Sequence, residues 1–463
     1  MRKTMLVCGL VFLAIPVLVT AKDFPLEFKT LNVEEVKGYQ WSYGAVQMIV
    51  AAKPAALRKE PKPVSAHPLY GEFKWPMDKA SMLFRIDESK GDGKGYDQLI
   101  LDLNQNGDLA DDPVISPTAD VKPWSTFRGQ EVGLFGPIEP PASKWNGPGK
   151  PIYYGILDLR TNAISKLGKG ATATRNDYLG NLRLRAGYCL ETTLEFDGRK
   201  QKVALIDNDA NLRLGDLCRP RITGDGQWYL LAAEGDRLLL EKDGTNGRPQ
   251  CFSQMLYLDT VPYKVALAAD CGSLQVEPWP EPLAEVSLQP RGDQVRHLGL
   301  GWESLKDQWQ FIEVGVARGK IKVPPGNYGL WAVSVSARTP PAGEVTAGGG
   351  MNRKNVFSVA AGQANTLRCG APLEINVTTE RQGRSPASSG EGFWASLGNW
   401  FGNLASSESD ELRIQAEVVG AGGETYSSFA LTREHGLAQP AKPVFTIATA
   451  DGKEVASGNL EYG

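Results

Sequence analysis

Apolar residues along this chain come in short runs. They alternate with polar residues at every second position and stop at glycine, proline, asparagine and aspartate. A period of two is the strand signature. In the first third it marks Gln47–Ala52 (QMIVAA), Met82–Glu88 (MLFRIDE) and Tyr96–Leu103 (YDQLILDL). It then marks Leu190–Phe196 (LETTLEF) and Lys202–Ile206 (KVALI), which Asp197-Gly198 joins as a tight hairpin. Arg237–Glu241 and Tyr263–Ala269 suggest a degenerate third hairpin, whose DGTNG turn (243–247) holds a single carboxylate. Further strands are expected at Glu285–Leu288, Trp309–Val316, Lys320–Val323, Tyr328–Val335, Leu373–Val377, Leu412–Val419 and Val444–Ala448. Helical spacing is scarce. It is clearest at Phe393, Trp394, Leu397, Trp400, Phe401 and Leu404, which predict a short amphipathic helix.

The pattern predicts an all-β chain of several β-sandwich or immunoglobulin-like modules in tandem, with little helix. At 463 residues the chain exceeds what one hydrophobic core usually supports. The expected divisions are a targeting segment, 1–21, and two β modules, 22–150 and 151–278. A β-sandwich, 283–370, and an immunoglobulin-like sandwich, 371–463, follow, the latter carrying a Ser/Gly-rich insertion at 381–410. Glu277–Pro282 (EPWPEP) is a stiff boundary. Residues 51–68 (AAKPAALRKEPKPVSAHP) read as a loop or linker, because proline donates no ladder hydrogen bond.

Two strand-hairpin segments run into acidic loops that align with each other. Leu101–Pro113 is LDLNQNGDLADDP, and Ile206–Leu217 is IDNDANLRLGDL. With Asp102 placed on Asp207, Asn104 falls on Asp209, Asn106 on Asn211, Leu109 on Leu214 and Asp111 on Asp216. Each copy has oxygen side chains at positions 1, 3 and 5 and a carboxylate at position 10. That alternation turns short Asp and Asn side chains into one concave bend, as a hard cation such as calcium requires. The competing reading is an Asx-rich turn held by side chain–backbone hydrogen bonds.

The first loop resembles calcium loops of EF-hand and dockerin type. The resemblance implies ligands from Asp102, Asn104 and Asn106, the Asp108 carbonyl, and Asp111 or Asp112, with Gly107 at the sharp turn. Position 12 is Pro113 rather than the family's bidentate Glu, and a strand rather than a helix precedes the loop. In the second copy the corresponding set is Asp207, Asp209, Asn211, the Arg213 carbonyl and Asp216, with Leu212 where a glycine is expected. Without a position-12 Glu, affinity should fall near roughly 10⁻⁴–10⁻³ M, which suits an extracellular structural clip. Val323–Tyr328 (VPPGNY) resembles the PxGxY turn of carboxypeptidase-regulatory-like sandwiches and implies that fold over 283–370. In layout the chain is similar to large secreted bacterial proteins that string β-sandwich modules behind a signal peptide; that likeness implies no activity.

Arg2 and Lys3, the apolar run Met5–Val19 and Val19-Thr20-Ala21 read as a cleavable signal peptide. The run is too short for a membrane span, and no later stretch approaches the ~18 apolar residues that one needs. The chain is therefore expected to be secreted, periplasmic or displayed at the cell surface. The formal net charge is −3, with no basic block of the kind that binds nucleic acid. Beyond Cys8, five cysteines remain: Cys189, Cys218, Cys251, Cys271 and Cys369. None forms a CxxC pair, and their pairing cannot be read from spacing.

Catalytic motifs are thin. His67, His297 and His435 lie in separate expected modules, and no HExxH, GxSxG or P-loop occurs. Gly168-Lys169-Gly170 reads as a turn rather than a phosphate loop. Trp309 and Trp331 fall where a sandwich buries its core, and Trp279 sits between prolines. The sequence thus predicts an exported, non-enzymatic, calcium-stabilised β protein engaged in adhesion, scaffolding or glycan contact, with a glycan or an envelope protein as partner. The alternative is a carbohydrate-active enzyme or its accessory module.

Overall fold

The computed structural model describes residues 21–38, 45–74, 81–92, 95–120, 130–141, 145, 147–160, 179–196, 198–222, 228–229, 235–242, 245–306, 308–339, 343–350, 356–382, 411–433, 436–438, 444–448 and 452–459. The expected amphipathic helix at 393–404, the expected turn at 168–170, His435, most of the expected targeting segment and part of the DGTNG stretch lie outside these. Among the described residues the chain is all-β, with strands in several sheets and one six-residue helix, Val33–Gly38. No helix among them is long and apolar enough to cross a membrane.

The chain divides into two compact units. The first comprises 1–218 and 232–281, the second 219–231 and 282–463. In the first unit one sheet runs Ala45–Ile49, Gly180–Ala186, Tyr153–Arg160, Gln130–Ile138, Pro117–Asp120. A second runs Thr245–Cys251, Arg237–Lys242, Arg199–Ile206, Tyr188–Phe196, Glu27–Thr30. Strands from either side of residue 150 are therefore hydrogen-bonded neighbours: Leu157 faces Gly133, and Leu190 faces Phe28. A continuous core joins both acidic-loop segments, with Leu101 and Leu103 in the same apolar cluster as Leu205, Leu212 and Leu214.

The two predicted hairpins form. Ser81–Asp87 pairs with Gln98–Leu101, and Tyr188–Phe196 pairs with Arg199–Ile206 through a turn in which Gly198 is left-handed. Ser81–Asp87 is buried almost throughout, including two charged residues. Arg85 pairs with Asp87 at 3.3 Å and with Glu60 at 2.9 Å. The Asp87 carboxylate also accepts the backbone N–H groups of Val64 (3.1 Å), Ser65 (2.8 Å) and Glu88 (2.9 Å). Glu60, Val64 and Ser65 belong to the proline-rich stretch, which is thereby docked rather than free. Leu57 from that stretch packs with Tyr70, Leu83, Ile100 and Leu109 in a satellite cluster.

In the second unit one sheet holds Gln308–Val314, Val295–Leu305, Gly326–Thr339, Gly343–Gly350, Thr425–Arg433, Glu411–Val419 and Glu374–Gln382. Strands from 283–370 and from 371–463 thus share one ladder, with Ala347 facing Phe429. The proline-glycine turn is closed by Tyr328. Its ring is fully buried, and its hydroxyl donates to the Pro324 carbonyl at 2.7 Å. Trp331 is half-buried against Phe311, with ring centroids 4.5 Å apart.

Replacing Asp87 by alanine removes one of the two carboxylates that face the buried Arg85 guanidinium and strands three backbone donors. The expected cost is about 3–5 kcal/mol, read as an earlier denaturant midpoint at unchanged slope.

Candidate metal centre

The strand Gln98–Leu101 delivers the first loop, and Arg199–Ile206 delivers the second. Position 1 is a buried aspartate in both copies. Asp102 accepts the N–H groups of Asn106 (2.9 Å) and Gly107 (2.8 Å), one on each carboxylate oxygen. Asp207 does the same to Asn211 (3.3 Å) and Leu212 (3.2 Å). Position 3 oxygens accept the position 5 N–H: Asn104 at 3.0 Å and Asp209 at 3.3 Å. Position 5 oxygens accept the position 7 N–H, from Asp108 at 2.7 Å and from Arg213 at 2.9 Å. Position 5 amides donate to the position 10 carboxylate, Asp111 at 2.9 Å and Asp216 at 2.6 Å.

The backbone follows the same path in both. Positions 4 and 6 are left-handed: Gln105 (φ 59°) and Gly107 (φ 75°) in one copy, Ala210 (φ 51°) and Leu212 (φ 68°) in the other. Leu212 therefore adopts the conformation that glycine was expected to supply. Its side chain is buried in the core, and that burial offsets the roughly 1–2 kcal/mol cost of a non-glycine residue there. At Gly107 a Cβ would also stand 2.9 Å from the Ala56 carbonyl, so the docked proline-rich stretch excludes a side chain.

The two loops differ in their surroundings. The first is roofed by residues 58–59. Arg58 N–H and Lys59 N–H donate to the Gly107 carbonyl (2.8 and 3.3 Å), Lys59 Nζ meets Asp108 at 3.0 Å, and the Arg58 guanidinium donates to the Asn106 carbonyl. Asn104 and Asp111 are exposed. Asp112 turns inward, where one oxygen accepts the Leu103 N–H at 3.3 Å and the other is buried without a partner. Burial first, then the charges of Asp102, Asp111 and Asp108, push its carboxyl up to about 7.

In the second loop the carboxylates themselves are buried. Asp207 receives the Tyr153 hydroxyl at 2.6 Å, which in turn lies 3.1 Å from the Tyr188 hydroxyl. A residue far along the chain completes the group. Ile206 pairs with Arg237 across antiparallel strands, so the next pair in register is Asp207 and Asp236. One carboxylate oxygen from each of Asp207, Asp209 and Asp236 lies within 4.8 Å of the others, and all three residues are buried. Asp236 accepts Gly215 N–H (2.6 Å) and Asp216 N–H (3.1 Å) on one oxygen, while its second oxygen is buried with no partner. Burial pushes all three carboxyls up, Asp207 to about 6; for Asp209 and Asp236 the charges of their neighbours follow as causes.

A cation bound at about 2.4 Å tolerates ligand oxygens up to about twice that distance apart, so the spacing of the three oxygens fits one calcium ion. Among the described residues no such three-carboxylate group forms in the first loop. The Asn211 oxygen accepts the Arg213 N–H, and Asp216 accepts the Asn211 amide. Asp236 escaped the sequence analysis because it stands alone, one residue ahead of an expected strand. Its only local signal is Gly235 before it, left-handed and 2.8 Å from the Cys218 Cα by its absent Cβ. Comparison of the chain with family models, curated proteins and solved structures gave no match.

Gly107→Ala should cost roughly 1–3 kcal/mol through strain at positive φ, detected by chemical denaturation. Tyr153→Phe should cost roughly 1.5–3 kcal/mol, because Asp207 loses a buried donor.

Proposed function

We propose that this chain is an exported, non-enzymatic β protein of the cell envelope or extracellular space, whose first unit is clamped by one divalent cation at the second acidic loop. Calcium is the ion of choice, since every available donor is a hard oxygen. The observation that carries the reading is the buried, partnerless oxygen of Asp236 beside the carboxylates of Asp207 and Asp209. Three buried carboxyls must otherwise be kept protonated or remain charged at a cost of several kcal/mol each. A cation removes that conflict and ties the loop to the strand that begins at Arg237. The role that follows is mechanical: a rigid scaffold for adhesion or glycan contact. The first loop, roofed by Lys59 and Arg58, serves in this reading as a turn that needs no ion.

The alternative of a carbohydrate-active module has less support. The groove lined by Phe196, Arg199, Asp259 and Tyr263 offers aromatic rings, but Phe196 and Tyr263 stack on each other at 4.6 Å and are buried. They leave no open platform for a sugar ring.

At a Kd of about 10⁻⁴ M, 10 mM calcium should add about 2.7 kcal/mol to the stability of the first unit, raising its melting temperature by several degrees over EDTA. Asp236→Ala should abolish that response and Asp111→Ala should keep it. Identical melting curves in calcium and EDTA for the unaltered chain would sink the reading. The pH dependence has a definite sign. Without calcium the folded chain holds a proton on Asp207 up to about 6, against 3.8 when unfolded, so ion-free stability falls as pH rises between those values. Calcium displaces that proton, so the gap between the two melting curves should widen from pH 5 to pH 7.

A further inference from the structure

The chain leaves the second acidic loop at Cys218, immediately before residues 219–231, which belong to the second unit, and rejoins the first unit at residue 232. Cys218 is fully buried, and its N–H donates to the Phe252 carbonyl at 2.9 Å, so its backbone neighbours that of Cys251. Cys251 ends the strand Thr245–Cys251 and faces Arg237 across the ladder. A single guanidinium nitrogen, Arg237 Nη1, donates to Cys218 Sγ at 3.1 Å and to Cys251 Sγ at 2.5 Å. Two sulfurs that contact one nitrogen at 3.1 and 2.5 Å can be no farther apart than those two distances laid end to end. Cys189, Cys271 and Cys369 lie on other segments of the fold.

We infer that Cys218 and Cys251 are a disulfide-forming pair that staples the point where the chain departs from the first unit and returns to it. The oxidant is a disulfide, either a small molecule or the active-site pair of an oxidoreductase, of the kind met in the oxidising compartments where export would place this chain. The thiolate of one cysteine attacks the oxidant and displaces one thiol, leaving a mixed disulfide. The second thiolate then attacks the protein-side sulfur and releases the other thiol. The two cysteines together lose two protons and two electrons, and the oxidant disulfide becomes two thiols. Both sulfurs are buried in the closed unit, out of reach of an oxidant, so the bond forms during folding. The closed ring contains Gly235-Asp236, and its benefit is the loss of chain entropy in the unfolded state.

The staple does not depend on the cation, and EDTA throughout separates the two readings. The full chain is reduced and unfolded, then refolded either in a mixture of oxidised and reduced glutathione or in reductant alone. Remaining thiols are alkylated in denaturant, and the peptides are mapped by mass. The expected result is one linked pair, Cys218 with Cys251, lighter by two hydrogens, with Cys189, Cys271 and Cys369 alkylated. The oxidised form should melt roughly 5–10 °C above the reduced form. Cys218→Ala and Cys251→Ala should each erase that difference, and the double variant should do no more. Alkylation of both Cys218 and Cys251 after oxidative refolding, or linkage of either to any other cysteine, would overturn the inference. The map of the unaltered chain decides it even if a variant fails to fold.

Discussion

The first unit depends on one repeated contact: a buried aspartate at the end of a strand turns both carboxylate oxygens onto two successive backbone N–H groups. Asp102 and Asp207 make it with the same positions of their loops. Successive N–H groups point to one centre only if the residues between and beside them leave the extended region, which is why positions 4 and 6 are left-handed in both copies. Once position 1 has set that curvature, the shorter links from positions 3, 5 and 10 follow. The remaining side chains can reach only the neighbours that the bend presents.

The same bend has different consequences in the two places because its surroundings differ. In the first copy, the amides of Asn104 and Asn106 and the ammonium of Lys59 stand among the acids, and water reaches Asn104 and Asp111. In the second, position 3 is an aspartate, tyrosine hydroxyls wall one side, and the strand register brings in a further buried carboxylate. Burial amplifies every interaction between like charges. A shared hydrogen-bond pattern thus ends as a self-contained turn in one case and as a concentrated negative centre in the other.

Much of this was legible before any coordinates. Alternation located the strands, because one face of each is packed: Leu99, Leu101, Leu190 and Leu194 are all in the core. The acidic loops were visible because their side chains act on neighbours a few residues away, and such local chemistry survives in sequence order. Asp236 was not visible, since only antiparallel pairing between Arg199–Ile206 and Arg237–Lys242 brings it to Asp207. The proline-rich stretch, expected as a loop or linker, is a loop, and its docking was hidden for a similar reason. Its prolines rule out a ladder, but Glu60, Val64 and Ser65 are held by Arg85 and Asp87, which are distant in sequence and fully buried. Leu212 shows the converse, where core packing overrides a local backbone preference that sequence order alone would have enforced.

A buried cluster of acids is an unusual thing for a β fold to keep if its purpose is stability alone. At position 3 the Asp209 carboxylate uses both oxygens, one on the Asn211 N–H and the other on the Gly235 N–H and the Asn211 amide, so this acid is part of the loop's own hydrogen bonding. Asp236, by contrast, spends only one oxygen on the Gly215 and Asp216 amides, a task that an asparagine carbonyl performs equally well. The second carboxylate oxygen of Asp236 is therefore surplus to the fold's own hydrogen bonding. What it adds is a third acid beside Asp207 and Asp209, out of water. The turn accounts for the hydrogen bonds of Asp207 and Asp209; the third acid is what the proposed cation would neutralise.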